Sequence, residues 1–79
     1  MKASIVSLKK ILYEGEIVSL NCKTVDGEIT ILNRHRPLIT MLDKGVIKII
    51  DILEKEWYID VSSGFVEVTP QNHIRILVD

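Results

Sequence analysis

Short segments in which apolar and polar residues alternate recur along the whole 79-residue chain. In residues 18–22, 57–61 and 74–78 every second side chain is apolar, and the side chains between them are mostly polar. A period of two turns one face of a β-strand toward a core and the other toward solvent. The pattern therefore predicts half-buried antiparallel strands as the main element of the fold.

The composition favours strands over helices. Thirteen isoleucines and eight valines stand against a single alanine, and β-branched residues are enriched in sheets whereas alanine is the best helix former. No segment has the apolar spacing and the caps of a long helix. The nearest candidate, residues 38–42, is predicted to form one helical turn at most.

Turn-forming residues follow one another at short intervals, which is typical of a chain that reverses direction many times. Several short strands separated in this way predict a compact sandwich or barrel. We therefore predict an all-β fold, a small antiparallel β-sandwich of two sheets, as one domain over residues 1–79. The predicted turns are Glu14-Gly15, Asp26-Gly27, Asn33 to Pro37, Asp43-Lys44-Gly45, Ser63-Gly64 and Pro70-Gln71-Asn72.

Charge and cysteine content exclude several classes of protein. Ten basic and eleven acidic side chains give a net charge of −1, which provides no overall attraction to nucleic acid or anionic lipid. The single cysteine, Cys22, cannot form an internal disulfide and is predicted to be a buried structural thiol. No apolar run is longer than three residues, so we expect neither a signal peptide nor a membrane helix.

Candidate reactive side chains are few and scattered. His35, His73 and Cys22 lie in three separate segments without the paired spacing of a metal site. Glu14 and Glu16 share a strand face, but beside Gly15 they are expected to be a solvated turn rather than an acid–base pair. The sequence thus predicts no catalytic residue, no metal ligand and no cofactor.

The stretch "LNRHRPL" at residues 32–38 is the most basic part of the chain. One interpretation is a stand-alone β-barrel that binds nucleic acid through Arg34 and Arg36. Such modules stack bases on exposed aromatic rings, and this chain has only four aromatic residues, none of them in this stretch. A solvated loop or a docking loop is therefore preferred.

A third interpretation is a lipoyl-type or biotinyl-type carrier domain, because "MLDKGVIKI" places Lys44 on a tight turn between apolar segments. The flanking residues do not match those domains well. Lys44 is therefore predicted to be an ordinary lysine at the tip of a hairpin.

Five stretches, in order, resemble the N-terminal domain of the epsilon subunit of F-type ATP synthases, the subunit called delta in mitochondria. They span nearly the whole chain, and the ordered set is more specific than any one piece. The stretches are "LYEGEIVSL" (12–20), "DGEITIL" (26–32), "HRPLITMLDKGVIKI" (35–49), "VSSGFVEV" (61–68) and "IRILVD" (74–79).

The resemblance implies a β-sandwich and a non-catalytic role in the central rotor. In that role the domain docks on the gamma subunit and the c ring and helps to couple ion-driven rotation to ATP synthesis. The resemblance also implies peripheral association with the cytoplasmic face of a bacterial inner membrane, as part of the complex. Neither nucleic-acid binding nor homo-oligomerisation is expected.

The resemblance also points to the residues that contact the rotor. Within the matching Asp-Gly-Glu turn and the His-x-Pro-Leu motif, these are Asp26, Gly27, Glu28, His35, Pro37 and Leu38. The predicted contact set also includes Arg36, which stands after the histidine where the family favours a small residue. This chain has Asn33-Arg34 where the family usually has Pro-Gly. The family also commonly continues into a C-terminal helical hairpin that inhibits ATP hydrolysis, so we expect docking without that inhibitory role.

Overall fold

The computed structural model describes all 79 residues and consists of eight β-strands without a helix. No helix long and apolar enough to cross a membrane is present. The strands are β1 (Lys2–Val6), β2 (Ile11–Thr24), β3 (Gly27–Leu32), β4 (Leu38–Leu42), β5 (Gly45–Asp51), β6 (Glu56–Val61), β7 (Gly64–Val68) and β8 (His73–Val78).

The long strand β2 joins two layers of the sandwich. Its first half pairs with β1, whereas its second half lies between β3 and β5. One layer therefore has the order β1-β8-β7-β4, and the other has the order β3-β2-β5-β6. All ladders are antiparallel except the parallel pair β1 and β8. The predicted all-β sandwich is confirmed.

The core is aliphatic and receives side chains from all eight strands. Strand β8 shows the predicted alternation, since Ile74, Ile76 and Val78 are buried while Arg75 and Leu77 face outward. The predicted buried thiol is confirmed as well, because Cys22 has no solvent exposure. The 15 buried apolar residues are Ala3, Ile5, Ile17, Leu20, Cys22, Ile31, Leu42, Ile47, Ile49, Val61, Val66, Val68, Ile74, Ile76 and Val78.

A β-bulge in β2 changes which side chains point inward. The register with β5 shifts between Ile17 and Ser19, so Val18 is an extra residue and is 48% exposed. Ile17 and Leu20 are both buried although they lie three positions apart, because the bulge shifts the alternation by one residue. The sequence pattern, which grouped Val18 with Leu20 and Cys22, was wrong at this position.

Long-range pairing overrides local signals in two segments, and the predicted turn at Glu14-Gly15 was wrong for this reason. Strand β2 runs without a turn through Glu14-Gly15, where Gly15 pairs with Ala3 of β1. Residues 38–42 form strand β4, paired along its length with β7, instead of a helical turn. Isolated helical segments of this length gain too little to compete with a full ladder.

Two of the predicted turns are corners between the layers. Strand β5 does not pair with β4, so Lys44 lies at a corner rather than at the tip of a hairpin. Ser62 and Ser63 form the second corner, between β6 and β7. The turns at Asp26-Gly27 and Pro70-Asn72 do close antiparallel hairpins, as predicted.

Gly64 stands at the start of β7, where the backbone of β8 passes very close. A Cβ atom at this position would lie 2.2 Å from the carbonyl oxygen of Leu77 and 3.1 Å from the Cα of Val78. Neither backbone atom can move without breaking the β7–β8 ladder. The position therefore requires glycine.

We expect Gly64→Ala to lower the free energy of unfolding by about 3 kcal/mol, the upper range for a steric conflict in a packed interior. Denaturant unfolding followed by circular dichroism measures this. Gly15→Ala is the matched control, because a Cβ there meets only the Tyr13 side chain, whose nearest atom, the hydroxyl, lies at 3.4 Å, an ordinary contact. Equal stability losses in the two variants would contradict the close approach at Gly64.

Candidate protein-interaction surfaces

Strand β3 forms one edge of its layer and pairs only with β2. The predicted contact residues Asp26, Gly27 and Glu28 lie at its first end, and the segment from His35 to Leu38 follows its last end. A six-residue strand is about 20 Å long, so the two groups do not form one pocket. They lie along one exposed margin of residues 25–37, here called the β3 border.

At the first end of the β3 border, a hairpin turn is fixed by hydrogen bonds. The buried hydroxyl of Thr24 donates to the carbonyl oxygen of Gly27 (2.7 Å) and accepts from the backbone N–H of Asp26 (3.1 Å). Gly27 has a φ of 120°, which favours glycine. Beyond the turn, the Glu28 carboxylate accepts from the Asn21 amide (3.2 Å) and is otherwise open to solvent.

At the other end, the loop of residues 33–37 is braced by the β7–β8 turn. The backbone N–H of Arg34, which has a φ of 63°, donates to Oδ1 of Asn72 (2.7 Å). The side-chain amide of Asn72 donates in turn to Oδ1 of Asn33. Leu38 packs against the core, so it supports the loop from beneath while the two arginines and Pro37 are exposed.

An apolar strip crosses the outer face of the β1-β8-β7-β4 layer. Met41 pairs with Phe65, Phe65 with Leu77, and Leu77 with Val6, so the four side chains form one cross-strand row. Phe65 is 52% exposed, Met41 51% and Leu77 45%, and Leu8 beside them is 91% exposed. We call Val6, Leu8, Met41, Phe65 and Leu77 the apolar strip.

The opposite outer face is mostly polar, and its exposed apolar or aromatic residues Leu32, Val46 and Tyr58 lie in separate cross-strand rows. On the β3-β2-β5-β6 layer, the Asn21 amide donates to Thr30 (2.9 Å), and Lys48 forms an ion pair with Glu56 (3.3 Å). The phenol of Tyr58 donates to the Glu56 carboxylate, which raises the pKa of Tyr58 and lowers that of Glu56. Contiguous exposed apolar surface marks interaction sites in proteins of this size, so the strip is the stronger candidate.

Sequence reasoning missed the apolar strip, although a signal for it was present. "GFV" and "ILV" place apolar residues at consecutive positions of strands β7 and β8, so apolar side chains point to both faces of these strands. Only one of the two faces can pack into the core, and the other had to remain outside it. Only the strand order shows that Phe65, Leu77 and Met41 are neighbours, since Met41 lies more than twenty residues before Phe65 in the chain.

The densest polar cluster is a turn between β5 and β6. The Asp51 carboxylate accepts hydrogen bonds from the indole N–H of Trp57 (3.0 Å) and from the backbone N–H groups of Leu53 and Lys55 (both 2.9 Å). The Trp57 bond is the main reason that the pKa of Asp51 lies below its usual range. Lys55 lies over the indole and Tyr13 packs edge-on against it. The cluster stabilises a turn.

We expect stability to fall as acid protonates Asp51. Because the folded-state pKa is depressed, the stabilisation is fully present above the ordinary pKa of 3.8 and is lost as pH falls below it. Asp51→Asn should flatten this part of the acid dependence of the thermal midpoint, measured between about pH 5 and about pH 2. Asp60→Asn, which removes an exposed carboxylate without hydrogen bonds, should leave the curve unchanged. If Asp51→Asn shows the same pH dependence as the wild type, protonation of Asp51 is not the cause of the loss of stability in acid.

The side chains considered for chemistry lie apart. Burial raises the pKa of the Cys22 thiol to about 11, so the thiol stays protonated. His73 contacts the Ser4 hydroxyl (3.4 Å), whereas His35 lies in the loop of residues 33–37. No group of three or more His, Cys, Asp or Glu side chains is arranged to hold a metal ion.

The fold and these surfaces define a small all-β sandwich domain. The chain belongs to the delta/epsilon chain family of ATP synthases, since the model of that family's beta-sandwich domain matches residues 1–79. Among its relatives, the ATP synthase epsilon chains of Acinetobacter baumannii (strain SDF) and Psychrobacter arcticus are 37% and 39% identical over 79 residues. The chain spans 56% of the length of each.

Solved structures show the same fold. A chain of the Euglena gracilis mitochondrial ATP synthase (OSCP/F1/c-ring) aligns with a TM-score of 0.89 and 17% identity, covering 96% of this chain and 48% of that one. A chain of the Tetrahymena thermophila mitochondrial ATP synthase central stalk and c ring aligns with a TM-score of 0.83 and 19% identity, covering 99% of this chain and 62% of that one. The recognition of the family from five ordered stretches is confirmed.

Proposed function

We propose that this chain is a non-catalytic subunit of the rotating central stalk of an F-type ATP synthase, docking on the gamma subunit and the c ring. In this role it helps to couple ion-driven rotation to ATP synthesis at distant sites, and it lies peripherally at the cytoplasmic face of the membrane. The observation that carries the proposal is the apolar strip on a chain whose full length matches the family.

The apolar strip is the proposed contact with the gamma subunit. The central part of a protein–protein interface is apolar and enriched in aromatic residues and methionine, as are Phe65, Met41 and their neighbours. Because these side chains point away from the core, covering them contributes to association rather than to folding. The charged pair Glu67 and Arg75, in the next cross-strand row, supplies a polar rim.

The β3 border is the proposed contact with the c ring. It presents Asp26, Glu28, His35 and Arg36 on a backbone that is fixed at both ends by hydrogen bonds. Exposed charges on a rigid frame act mainly through steering and orientation of the encounter, and less through total affinity. Two separate surfaces suit a subunit that must hold two partners at once.

Nucleic-acid binding has less support from the geometry. The cleft beside Arg34 and Arg36 is lined by His35, Pro37, Pro70 and Asn72, with no Phe, Tyr or Trp ring for stacking bases. Trp57, the largest ring in the chain, is engaged by Asp51 and Tyr13.

We expect Phe65→Ser to weaken binding to the gamma subunit about thirtyfold, corresponding to about 2 kcal/mol for a central aromatic residue. The free energy of unfolding should change by less than about 0.5 kcal/mol, because Phe65 is exposed. Affinity for the gamma subunit of the same organism, measured at high salt after co-expression, tests the first value, and denaturant unfolding of the free chain tests the second.

Tyr58→Ser is the matched control, since Tyr58 is an exposed aromatic residue on the opposite face. It should leave binding to the gamma subunit unchanged. Failure of the wild-type chain to bind the gamma subunit would refute the proposed function. If Phe65→Ser and Tyr58→Ser weaken binding equally, the apolar strip is not the contact with the gamma subunit.

We expect Glu28→Ala to slow association with the purified c ring about fivefold and to reduce the dependence of the rate on salt, while the dissociation rate changes little. Stopped-flow or surface-binding kinetics at two salt concentrations give these rates. Asp60→Ala on β6, the opposite edge of the same layer, is the control and should have no effect. A fall in thermal stability for Glu28→Ala would instead indicate a structural role.

A further inference from the structure

Arg34 and Arg36 carry positive charges that nothing in the chain neutralises. The structure contains two ion pairs, the N-terminal amine with Glu16 (3.3 Å) and Lys48 with Glu56, and neither involves an arginine. Neither guanidinium donates a hydrogen bond to the protein, and the cleft beside them has no carboxylate in its lining. Ten donor groups on two neighbouring side chains are therefore free to bind an external acceptor.

The backbone that presents these arginines is fixed at several points. The N–H of His35 donates to the carbonyl oxygen of Leu32 (3.1 Å), and the ring Nδ1 of His35 donates to the carbonyl oxygen of Arg36 (2.8 Å). The bond from Arg34 to Asn72 holds Arg34 in a conformation that arginine rarely adopts. Unfavourable backbone conformations of this kind are retained where the surrounding structure determines them, commonly at functional positions.

We propose that Arg34 and Arg36 form a preorganised site for carboxylate groups on a protein partner. The planar guanidinium group binds a carboxylate through two parallel hydrogen bonds, and a rigid loop reduces the entropy lost when it does so. The inference rests on the proposed function, because this loop is the last part of the β3 border. It assigns to that border a specific chemistry, the recognition of acidic side chains of the rotor.

Charge and lining favour a protein carboxylate over the other anions. Binding to an anionic membrane typically uses four to eight clustered basic residues, and this loop has two arginines and one half-buried histidine. The net charge of −1 adds no general attraction to such a surface. Proteins that bind nucleic-acid bases by stacking present large aromatic rings, and the cleft has no Phe, Tyr or Trp.

The test measures affinity of the chain for a complex of the gamma subunit and the c ring from the same organism. Arg34→Gly and Arg36→Ala should each weaken binding about tenfold, the effect of losing one charge-assisted contact. Arg36→Lys keeps the charge but loses the two-pronged geometry, so it should recover only part of the loss. Lys44→Ala, which removes a positive charge at the corner between β4 and β5, should bind like the wild type.

Arg34→Gly also separates binding from folding. Glycine adopts a φ of 63° without strain, so the thermal midpoint of this variant should be equal to or above that of the wild type. Weaker binding by a chain of undiminished stability would support the carboxylate site.

Three results would overturn the inference. Arginine variants that bind like Lys44→Ala would show that the guanidinium groups make no contact. If the wild-type chain binds vesicles containing phosphatidylglycerol and the arginine variants do not, the ligand is a lipid headgroup. A wild-type chain that does not bind the rotor proteins would refute the proposed function itself, and the inference with it.

Discussion

The sandwich depends on one strand that serves both layers. Strand β2 is hydrogen-bonded to β1 over its first half and to β3 and β5 over its second half, so its path sets how the layers meet. The bulge at Val18 makes this possible, since an extra residue bends the strand and increases its twist. It also keeps Ile17 and Leu20 buried on either side of the bend. Without it, one half of β2 would turn its apolar residues to solvent.

The two outer faces carry different side chains. Hydrogen bonds and an ion pair among Asn21, Thr30, Lys48, Glu56 and Tyr58 satisfy the polar groups of one face within the chain. The apolar strip on the other face has no such internal partners. This asymmetry supports the proposed packing of the apolar strip against the gamma subunit.

The β3 border shows how distant segments together determine a surface. The loop of residues 33–37 owes its shape to Asn72, which lies 38 positions after Arg34 and has a positive φ itself. Because the loop and the β7–β8 turn hold each other, the positions of the arginines are linked to the layer that carries the apolar strip. A partner that contacts the border thus meets a preorganised surface.

Much of the fold could be predicted, and the errors have a common cause. The all-β class, the hairpin at Asp26-Gly27 and the buried residues of β8 follow from local alternation and turn chemistry. The turn predicted at Gly15 was wrong and residues 38–42 were not predicted as a strand, because their conformation is decided by pairing with β1 and β7. Of the predicted contact residues, Leu38 proved to be half-buried support for the loop, and the others are grouped at two ends of β3.

The sequence by itself determined that this chain forms a strand-rich aliphatic sandwich of the ATP synthase delta/epsilon family. Periodicity and turn residues act over a few positions, and the ordered stretches preserve the family's spacing. Tertiary structure alone decided that Met41, Phe65, Leu77 and Val6 form one exposed row and that Asn72 braces Arg34. Those arrangements depend on strand order and register, which are set by contacts between residues far apart in the chain.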